Sequence, residues 1–375
     1  MHLKEPHDKR YLMITLAYII VTFTIIQFLV ALVNLISETS LPETEDLPSE
    51  LVSVLIPARN EERNIGNILN DLITQNYSNI EIIVFDDQSD DRTADIITGY
   101  SLSDKKIRMV SSQSLPEGWL GKNYACHSLA KYAKGDFLLF LDADVRILKN
   151  TIGKTVSFAK KHKLSLISIF PKQIIRSAGE RITVPNMNYI LLSLLPLIFV
   201  RKLKYPSMAA ANGQFMFFRA HDYHSLEPHM LMKNNKVEDI FTARYLKKIG
   251  SRIACLVGDR DINCRMYKGF SDAVEGFSKN VIAFFGNSFI MALFFWIVTS
   301  FGFIPVFLYL SNGLIILWLV IYLLTRIFIS ITSRQNPFYN LILIIPLQVS
   351  LGIFIYKAFI NKHFRKFQWK GRNID

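Results

Sequence analysis

The strongest constraint on the fold of this chain is a short apolar run that ends in two acidic residues. Residues 137–141 read Phe-Leu-Leu-Phe-Leu and are followed by Asp142, Ala143 and Asp144. A run of this length between charged residues predicts a strand that is buried on both faces, in a sheet covered by helices. Ligands of open α/β sheets bind just beyond the carboxyl ends of the strands. The two carboxylates are therefore expected at a ligand site; the alternative is a polar turn that caps the strand.

The segments around this run alternate between strand and helix patterns. This alternation indicates an α/β domain with a mostly parallel sheet and helices on both faces, and we expect it to occupy residues 51–280. Strands are predicted at residues 51–56, 81–85, 107–110, 137–141, 164–170 and 214–218, and helices over 65–73, up to 133, from 150 and over 238–249.

Further polar residues follow the neighbouring strands. Asp86 and Asp87 end the second predicted strand, and the glycine-rich segment 118–122 follows the third. In a parallel sheet these residues share an edge with Asp142 and Asp144. Asp142 and Asp144 project to the same side of an extended chain, and two such oxygen ligands suit Mg²⁺ or Mn²⁺ carrying phosphate groups. The chain has neither a Walker lysine loop nor a G-x-G-x-x-G fingerprint, which argues against P-loop and dinucleotide-binding folds.

Long apolar segments near both ends predict membrane helices. Residues 11–36 contain no charged residue, and this stretch exceeds the roughly 20 residues with which a helix crosses a bilayer. We expect a retained N-terminal transmembrane anchor over 1–36 and a polar linker over 37–50. The region 281–360 is expected to hold C-terminal transmembrane helices, and residues 361–375 form a basic tail. The three predicted C-terminal spans are 285–310, 314–324 with an extension past Arg326, and 341–359.

Two features of the membrane segments leave alternatives open. Residues 185–200 are apolar, interrupted by Pro196 and flanked by basic residues, which favours a helix lying in the membrane interface; the alternative is a buried helix. One anchor and three later spans would place both basic chain ends on the side of the membrane opposite the α/β domain. The positive-inside rule disfavours that arrangement, so either one stretch is re-entrant or the rule is overridden.

The composition limits the classes of molecule that this protein is expected to bind. Half of the residues are hydrophobic, and 43 Lys and Arg against 31 Asp and Glu give a net charge of +12. Such a basic balance suits anionic lipid or phosphate-bearing substrates, and no nucleic-acid-binding motif is present. The three cysteines have no metal-ligand or disulfide-framework spacing and are expected to be buried thiols.

The chain resembles the family 2 glycosyltransferases. Their fold, GT-A, has a Rossmann-like, mostly parallel sheet, and the resemblance implies that fold here, with transmembrane helices at both ends of the chain. The segments that carry the resemblance are residues 52–61 (Val-Ser-Val-Leu-Ile-Pro-Ala-Arg-Asn-Glu), 85–91 (Phe-Asp-Asp-Gln-Ser-Asp-Asp), 142–144 (Asp-Ala-Asp) and 237–239 (Val-Glu-Asp).

This resemblance implies roles for nine residues. Asp144 matches the ligand of the metal, Mg²⁺ or Mn²⁺, and Asp239 matches the general base of an inverting transfer. By its residue type alone Asp239 is equally a helix-capping acid, and Lys122 alone is more often a solvated lysine than a ligand. The residues that the resemblance places at the nucleotide sugar are Pro57, Ala58 and Glu61 at the nucleoside, Asp87 at the base, Lys122 near the base or diphosphate, Asp142 at the ribose, and Glu238.

A closer resemblance covers more of the chain and connects it with bacterial carotenoid glycosyltransferases of the 4,4′-diaponeurosporenoate type. It implies a nucleotide-sugar donor, by default a UDP-sugar, a lipid or carotenoid acceptor, and a multi-pass protein of the bacterial plasma membrane whose catalytic domain faces the cytoplasm. The chain lacks the Gln-x-x-Arg-Trp motif of processive synthases. The matching segments are residues 118–126, 265–267, 276–280 and 369–372.

Two other functions remain open at this point. One is a polyprenyl-phosphate or other glycolipid glycosyltransferase, for which Arg201, Lys202 and Lys204 would supply cations near the membrane. The other is a non-catalytic membrane protein that binds nucleotides. Three acids in the matching positions, Asp142, Asp144 and Asp239, argue against the second.

Overall fold

The computed structural model describes residues 5–44, 48–111, 114–364, 368–369 and 372–373. These residues form two compact units. The sheet unit contains Glu38–Ile174 and Leu197–Met266, and the helical unit contains residues 5–37, Ile175–Pro196 and residues 267–364. Part of the predicted linker (45–47) and most of the predicted basic tail, including Lys370 and Gly371 of its motif, lie outside the described residues.

Helices and strands are numbered in chain order. The strands are β1 (Val52–Ala58), β2 (Ile80–Asp86), β3 (Ile107–Ser111), β4 (Phe137–Leu141), β5 (Val145–Ile147), β6 (Leu166–Phe170), β7 (Lys172–Gln173), β8 (Phe215–Arg219), β9 (Ile253–Val257), β10 (Ile262–Cys264), β11 (Gln368–Trp369) and β12 (Arg372–Asn373). The helices are α1 (Glu5–Ile36), α2 (Ile65–Ile73), α3 (Thr93–Ser103), α4 (Gly121–Tyr132), α5 (Thr151–His162), α6 (Ala178–Arg181), α7 (Pro185–Leu194), α8 (Leu197–Lys202), α9 (Ala220–Leu226), α10 (Pro228–Leu231), α11 (Glu238–Lys248), α12 (Phe270–Asn280), α13 (Phe289–Phe301), α14 (Phe303–Tyr309), α15 (Asn312–Thr332), α16 (Pro337–Ile342) and α17 (Ile344–Phe364), with 3₁₀ turns at Pro206–Met208 and Ala283–Phe285.

The sheet unit is built on a seven-stranded sheet in the order β3-β2-β1-β4-β8-β6-β9. All neighbours in it are parallel except β8, which is antiparallel to both β4 and β6. Every residue of β4 is buried, as expected for a central strand covered on both faces. Helix α2 shows the complementary pattern, because Ile65, Ile68, Leu69 and Leu72 form one buried face at helical spacing. The predicted α/β fold, with apolar membrane-type helices near both ends of the chain, is confirmed.

In the part of the chain that the structure describes, three helices are long and apolar enough to cross a membrane. They are Lys9–Ile36, Asn312–Thr332 and Ile344–Lys362. The predicted span 285–310 is not one helix: α13 ends at Phe301 and α14 begins at Phe303, and the segments Phe270–Phe285 and Phe289–Phe301 are bent by 101° relative to each other. That bend marks a broken span or a re-entrant loop.

Helices α1 and α15 run parallel in the helical unit. Trp318 Nε1 donates to Thr24 Oγ1 at 3.0 Å, and further along both helices the Phe28 and Phe328 rings lie 5.5 Å apart. Two parallel membrane helices require the chain to cross back between them. Helices α13 and α14, with 13 and 7 residues on either side of Gly302, together approach the roughly 20 residues of one crossing.

Helix α17 runs antiparallel to α13. Trp296 Nε1 donates to the carbonyl of Gln348 at 2.8 Å, and the Phe289 and Phe359 rings lie 5.7 Å apart. If α13, α15 and α17 belonged to three successive full crossings, α13 and α17 would be parallel. The antiparallel packing is therefore the arrangement expected if one of these stretches is re-entrant, and the number of crossings stays a prediction.

The segment predicted to lie in the membrane interface is a buried helix instead. All residues of α7 from Pro185 to Ser193 are buried, within the helical unit rather than in the predicted 51–280 domain. Pro196 ends the helix pattern and leaves carbonyl groups of the last turn without intrahelical partners. Asn34 Nδ2 donates to two of them, Leu192 O at 3.1 Å and Leu195 O at 2.9 Å. Protein contacts, rather than lipid headgroups, thus satisfy this end of α7.

Candidate active site

The candidate site lies where the carboxyl end of β4 meets the beginning of β8. Because β8 is antiparallel to β4, Leu141 pairs with Phe215, and the residues before β8 lie beside those after β4. The Asp142 backbone N–H donates to the carbonyl of Gln214 at 3.0 Å. The reversed strand therefore brings the segment 212–214 into the acidic edge of the sheet.

Lys122, at the start of α4, is the cation of this edge. Its Nζ lies 2.7 Å from Asp142 Oδ1 and 2.8 Å from Oδ2, and it donates to the carbonyl of Gly213 at 3.2 Å. Glu238 Oε1, at the start of α11, is 4.0 Å away. Burial alone would lower the pKa of Lys122, but the neighbouring Asp142 and Glu238 outweigh it and raise that pKa. Lys122 is thus held as an ammonium ion between two acids, rather than solvated.

Gly213 is packed so closely among these groups that a side chain would disturb them. A Cβ atom at this position would lie 3.1 Å from Glu238 Oε1, 3.2 Å from Lys122 Nζ and 3.6 Å from Asp239 Oδ2. The Gly213 backbone N–H donates to Asp239 Oδ2 at 2.8 Å. The main chain before β8 therefore links Lys122 with Asp239.

Asp239 lies in the first turn of α11. Its Oδ1 accepts a hydrogen bond from the Ile240 backbone N–H at 2.7 Å, one of the first-turn N–H groups that have no partner within the helix, and the helix dipole favours an acid at this position. Burial raises its pKa, although the hydrogen bonds from Ile240 and Gly213 and the charge of Lys122 act in the opposite direction. Because a carboxylate has about four lone-pair sites, these two bonds leave acceptor capacity for a substrate proton.

The loop that leads into α11 is fastened to the loop that carries Lys122. Asn123 Nδ2 donates to the carbonyls of Met232 at 2.7 Å and Asn235 at 3.0 Å, and the Leu120 backbone N–H donates to Lys233 O at 2.8 Å. The beginnings of α4 and α11 are therefore positioned relative to each other by partly buried hydrogen bonds.

Asp144 is an acid whose ionised form would be stabilised by a bound cation. Burial, with the charges of Asp142 and Glu61, raises its pKa to about 7. Its Oδ1 has Gln214 Nε2 at 3.4 Å, a long contact for a hydrogen bond. Among the described residues no group of three His, Cys, Asp or Glu side chains could hold a metal alone. An ion such as Mg²⁺ or Mn²⁺ is commonly bound by one or two carboxylates together with phosphates and water, and this donor set fits that mode.

The ends of β1 and β2 form the other half of the edge. Ala58 pairs with Asp86, and the Asp87 backbone N–H donates to the carbonyl of Ala58 at 2.8 Å. Both aspartates are buried, and Asp86 Oδ1 has no hydrogen-bond partner among the described residues. Arg59 Nη1 donates to Gln88 O at 3.1 Å. Hydrogen bonds therefore join the turns after β1 and β2. The buried Asp86 Oδ1 atom beside them can accept a further hydrogen bond.

Hydrogen bonds to two neighbouring residues fix the position of Glu61. Its backbone N–H donates to Thr93 Oγ1 at 2.8 Å, and its Oε2 accepts from Asn64 Nδ2 at 2.7 Å. Asn60 and Gln88 have φ values of 53° and 55°, a left-handed conformation that non-glycine residues seldom adopt. The turn that carries Glu61 thus has one defined shape, within electrostatic reach of Asp144.

All nine residues predicted for the site lie along this end of the sheet. Lys122, Asp142, Glu238 and Asp239 are joined through contacts around Gly213, and Asp144 lies two residues after Asp142. Of the remaining four, Pro57 and Ala58 end β1, and Glu61 and Asp87 lie on the turns after β1 and β2. Sequence reasoning missed Gly213 and Gln214. The signal was present, because Gly213 immediately precedes a predicted strand and Gln214 begins it, but the antiparallel direction of that strand was not predicted.

The two acids with raised pKa values give a testable pH dependence. The pKa values of Asp144 and Glu238 are both raised to about 7, so the folded protein keeps protons that the unfolded chain releases above pH ~4. Stability without metal or nucleotide should therefore fall as pH rises from about 5 to 7.5. We expect Asp144→Asn to reduce this loss by on the order of 1–3 kcal/mol, measured by denaturant unfolding at several pH values. Asp95→Asn, at an exposed acid in the first turn of α3, should leave the slope unchanged; the same unchanged slope in Asp144→Asn would contradict the prediction.

Known proteins resemble this chain in sequence and in fold. Residues 53–226 match the family described as Glycosyl transferase family 2. A protein of Staphylococcus haemolyticus named 4,4′-diaponeurosporenoate glycosyltransferase is 28% identical over 236 residues, which are 62% of this chain and 61% of that protein. The match thus spans less than two thirds of that relative. A protein of the same name from Staphylococcus aureus is 24% identical over 357 residues, which are 88% of this chain and 90% of that protein.

One solved structure is similar over nearly its whole length. It is a mannosyltransferase from Pyrobaculum calidifontis in complex with GDP-Man and Mn²⁺, with a TM-score of 0.59 and 15% identity, covering 94% of this chain and 99% of that one. At this identity the likeness establishes the fold only. The fold implied by the resemblance to the family 2 glycosyltransferases is therefore found in an experimentally solved protein.

Proposed function

Since residues 53–226 of this glycosyltransferase form a family 2 domain, we propose that it is an inverting enzyme of the membrane that transfers a sugar from a nucleotide-sugar donor, by default a UDP-sugar, to a lipid-soluble acceptor. The observation that carries the proposal is the convergence of Lys122, Asp142, Glu238 and Asp239 around Gly213, beside Asp144. A transferase needs cationic and acidic groups at one point, where a diphosphate leaves and an acceptor oxygen arrives.

The donor nucleoside would bind at the turns after β1 and β2. Pro57 and Ala58 offer backbone, and Glu61 and Asp87 offer carboxylates that can accept hydrogen bonds from base and ribose. The hydrogen bond between the Asp87 N–H and Ala58 O fixes the spacing of these turns. Asp142 and Glu238 complete the donor side, while Lys122 neutralises part of their charge.

The diphosphate of the donor would lie at Asp144. A divalent ion bound there, Mg²⁺ or Mn²⁺, neutralises the charge that develops on the leaving diphosphate. Asp144 would hold the ion, and Gln214 would orient the carboxylate through its contact with Oδ1. Asp142 shares its charge with Lys122, so it would act on the ribose side rather than as the main ligand.

Asp239 would act as the general base. In an inverting transfer the acceptor oxygen forms its bond to the anomeric carbon while the bond from that carbon to the diphosphate breaks. The proton of a hydroxyl acceptor must leave in that step, and a carboxylate with a raised pKa is suited to receive it. The hydrogen bonds from Gly213 and Ile240 hold Asp239 in one orientation for that purpose.

The acceptor is proposed to be a carotenoid or carotenoid acid. The two relatives named above support this class, because both are named for the acid 4,4′-diaponeurosporenoate. A polyprenyl phosphate is the alternative. Lipid extracts incubated with labelled donor would separate the two, because only a sugar linked through phosphate is released by mild acid.

The proposed location is the bacterial plasma membrane, with the catalytic domain facing the cytoplasm. Three candidate spans support a multi-pass protein. Nucleotide sugars are polar cytosolic molecules, whereas an apolar acceptor would reach the enzyme from the bilayer. Helices α1 and α15 run in the same direction, which is compatible with an N-terminus on the side of the membrane opposite the catalytic domain.

The metal role of Asp144 has a direct test. Asp144→Ala removes a ligand without placing a new polar group in the site, and we expect turnover of donor with Mn²⁺ to fall by about a hundredfold or more, since a bound ion contributes several kcal/mol. Purified protein, labelled donor and a Mn²⁺ titration measure the effect. Asp95→Ala, outside the site, should keep normal turnover. Unchanged turnover and unchanged Mn²⁺ dependence in Asp144→Ala would remove the metal assignment.

A further inference from the structure

Arg326, inside α15, is a buried cation that the proposed mechanism does not use. It is the only charged residue of the span Asn312–Thr332, and its side chain is 4% exposed. An arginine in the middle of a membrane helix costs about 2.5–3.5 kcal/mol on insertion scales, and such residues usually serve a function. A rise of about 1.5 Å per residue places Arg326 some 9 Å before the end of α15, inside the candidate membrane span.

Arg326 has no acidic partner among the described residues. No described ion pair includes it, and its Nε has no hydrogen-bond partner. The acids of the helical unit with described contacts are engaged elsewhere: Glu180 accepts from the Arg176 N–H and Ser177, Asp272 accepts from the Lys268 N–H, and Glu275 pairs with Lys279. The positive charge of Arg326 is therefore not balanced by a described carboxylate.

Aromatic rings hold one face of this guanidinium. Its central carbon lies 3.6 Å from the ring centre of Tyr189 and 5.5 Å from that of Tyr322, and Nη2 donates to Tyr322 Oη at 3.3 Å. The Trp318 and Tyr322 rings stack at 5.4 Å. Stacking fixes the plane of the guanidinium. Tyr322 Oη takes an N–H of Nη2, whereas the edge that carries Nε, which has no hydrogen-bond partner among the described residues, has the donor type that binds a carboxylate or phosphate oxygen.

The surroundings of Arg326 are polar as well as aromatic. Gln27 Nε2 on α1 donates to Ser193 Oγ on α7 at 3.2 Å, one helical turn after Tyr189. On the same helix, Asn186 Oδ1 is buried without a hydrogen-bond partner. Tyr189, whose ring lies against Arg326, is thus on a helix that carries further buried polar atoms.

We propose that Arg326 binds an oxyanion carried by an apolar chain, a lipid anion of the class proposed as the acceptor. The class of the anion rests on the proposed function, but the binding itself does not. A carboxylate and a phosphate share the required chemistry. The guanidinium edge would take two oxygens of the anion, and Tyr189 and Tyr322 would position it.

The test uses the full-length protein in nanodiscs of phosphatidylcholine, a lipid without net charge. The probes are cis-parinaric acid, a fluorescent polyene carboxylate, and its neutral methyl ester; binding is measured as quenching of tryptophan emission by the polyene. We expect the acid to bind at least about tenfold more tightly than the ester, which corresponds to about 1.4 kcal/mol. Arg326→Gln should abolish this preference, and Arg326→Lys, which keeps the charge without the fork, should retain part of it.

Arg334→Gln is the matched control, because Arg334 is exposed just beyond the end of α15. It should leave the preference for the acid intact. Displacement of parinarate by oleate identifies a carboxylate site, and displacement by dodecyl phosphate at lower concentration identifies a phosphate site; both support the oxyanion. Equal affinity of the wild-type protein for acid and ester, or a preference that survives Arg326→Gln, would overturn the proposal. If Arg326→Gln does not fold, the wild-type comparison and Arg326→Lys still decide.

A separate measurement distinguishes this proposal from the proposed function. Binding of UDP with Mn²⁺, followed by calorimetry, should be the same in wild-type protein and Arg326→Gln. If wild-type protein binds neither UDP nor any other nucleoside diphosphate, the proposed function fails while the anion result remains interpretable. If nucleotide binds and the preference for the acid is absent, the function stands and the role of Arg326 fails.

Discussion

Asp239→Asn is expected to lower turnover with a hydroxyl acceptor by about 10²–10⁴-fold, the usual contribution of a positioned general base. The amide keeps nearly the same shape but cannot take the proton. Asp239 also accepts hydrogen bonds from the Gly213 and Ile240 N–H groups, at 2.8 and 2.7 Å. The amide has an NH₂ donor in place of one accepting oxygen, so one of these bonds is lost and the protein should lose about 1 kcal/mol of stability. Initial rates at saturating donor, with unfolding curves for both proteins, separate the two effects.

The same variant distinguishes deprotonation from positioning. A carboxylate acceptor is already ionised near neutral pH, so Asp239→Asn should lose much less activity in forming a glycosyl ester than in forming a glycoside. A complete loss with both acceptors would mean that Asp239 positions the acceptor and does not deprotonate it. Asp95→Asn is the control for the helix dipole, because Asp95 also lies in the first turn of a helix but outside the site.

Lys122→Met is expected to have the second large effect. Methionine retains the length of the side chain but removes the ammonium group that lies 2.7 Å from Asp142 and 4.0 Å from Glu238. Removing one member of a fully buried ion pair costs about 3–5 kcal/mol; the Lys122 and Asp142 side chains are 24% and 26% exposed, so we expect a smaller loss of stability here. We expect the unfolding midpoint to fall accordingly, and turnover to fall by at least about a hundredfold because Asp142 and Glu238 lose their orientation.

Lys154→Met is the matched control for this loss of stability. Lys154 is 4% exposed and pairs with Glu43 at 2.7 Å and Asp261 at 2.6 Å, in the same unit but outside the site. It should destabilise the protein comparably while the turnover of the remaining folded enzyme stays near normal. Mn²⁺ affinity adds a second readout: it should persist or increase in Lys122→Met, because Asp142 is released from its cation. Equal turnover in Lys122→Met and Lys154→Met would show that Lys122 is only structural.

Much of the sheet unit was predictable because strand and helix patterns are local. The apolar run 137–141 coincides with β4, and the buried face of α2 follows from its spacing. The parallel arrangement of β1, β2 and β4 then explains why acids 50 or more positions apart in sequence share one edge. The chemistry of this edge stays a prediction, which rests on residue types after these strands that are those of phosphate and metal sites.

The sequence by itself determined which segments are buried strands, which are long apolar helices and which acids follow the strands, because each property depends on neighbouring residues. Only the tertiary structure decided the antiparallel direction of β8, which brings Gly213 and Gln214 to the site. It also decided the burial of α7 and the parallel packing of α1 against α15. These features depend on contacts between residues far apart in the chain, and a periodic pattern specifies the face that a segment buries without specifying the partner or its direction.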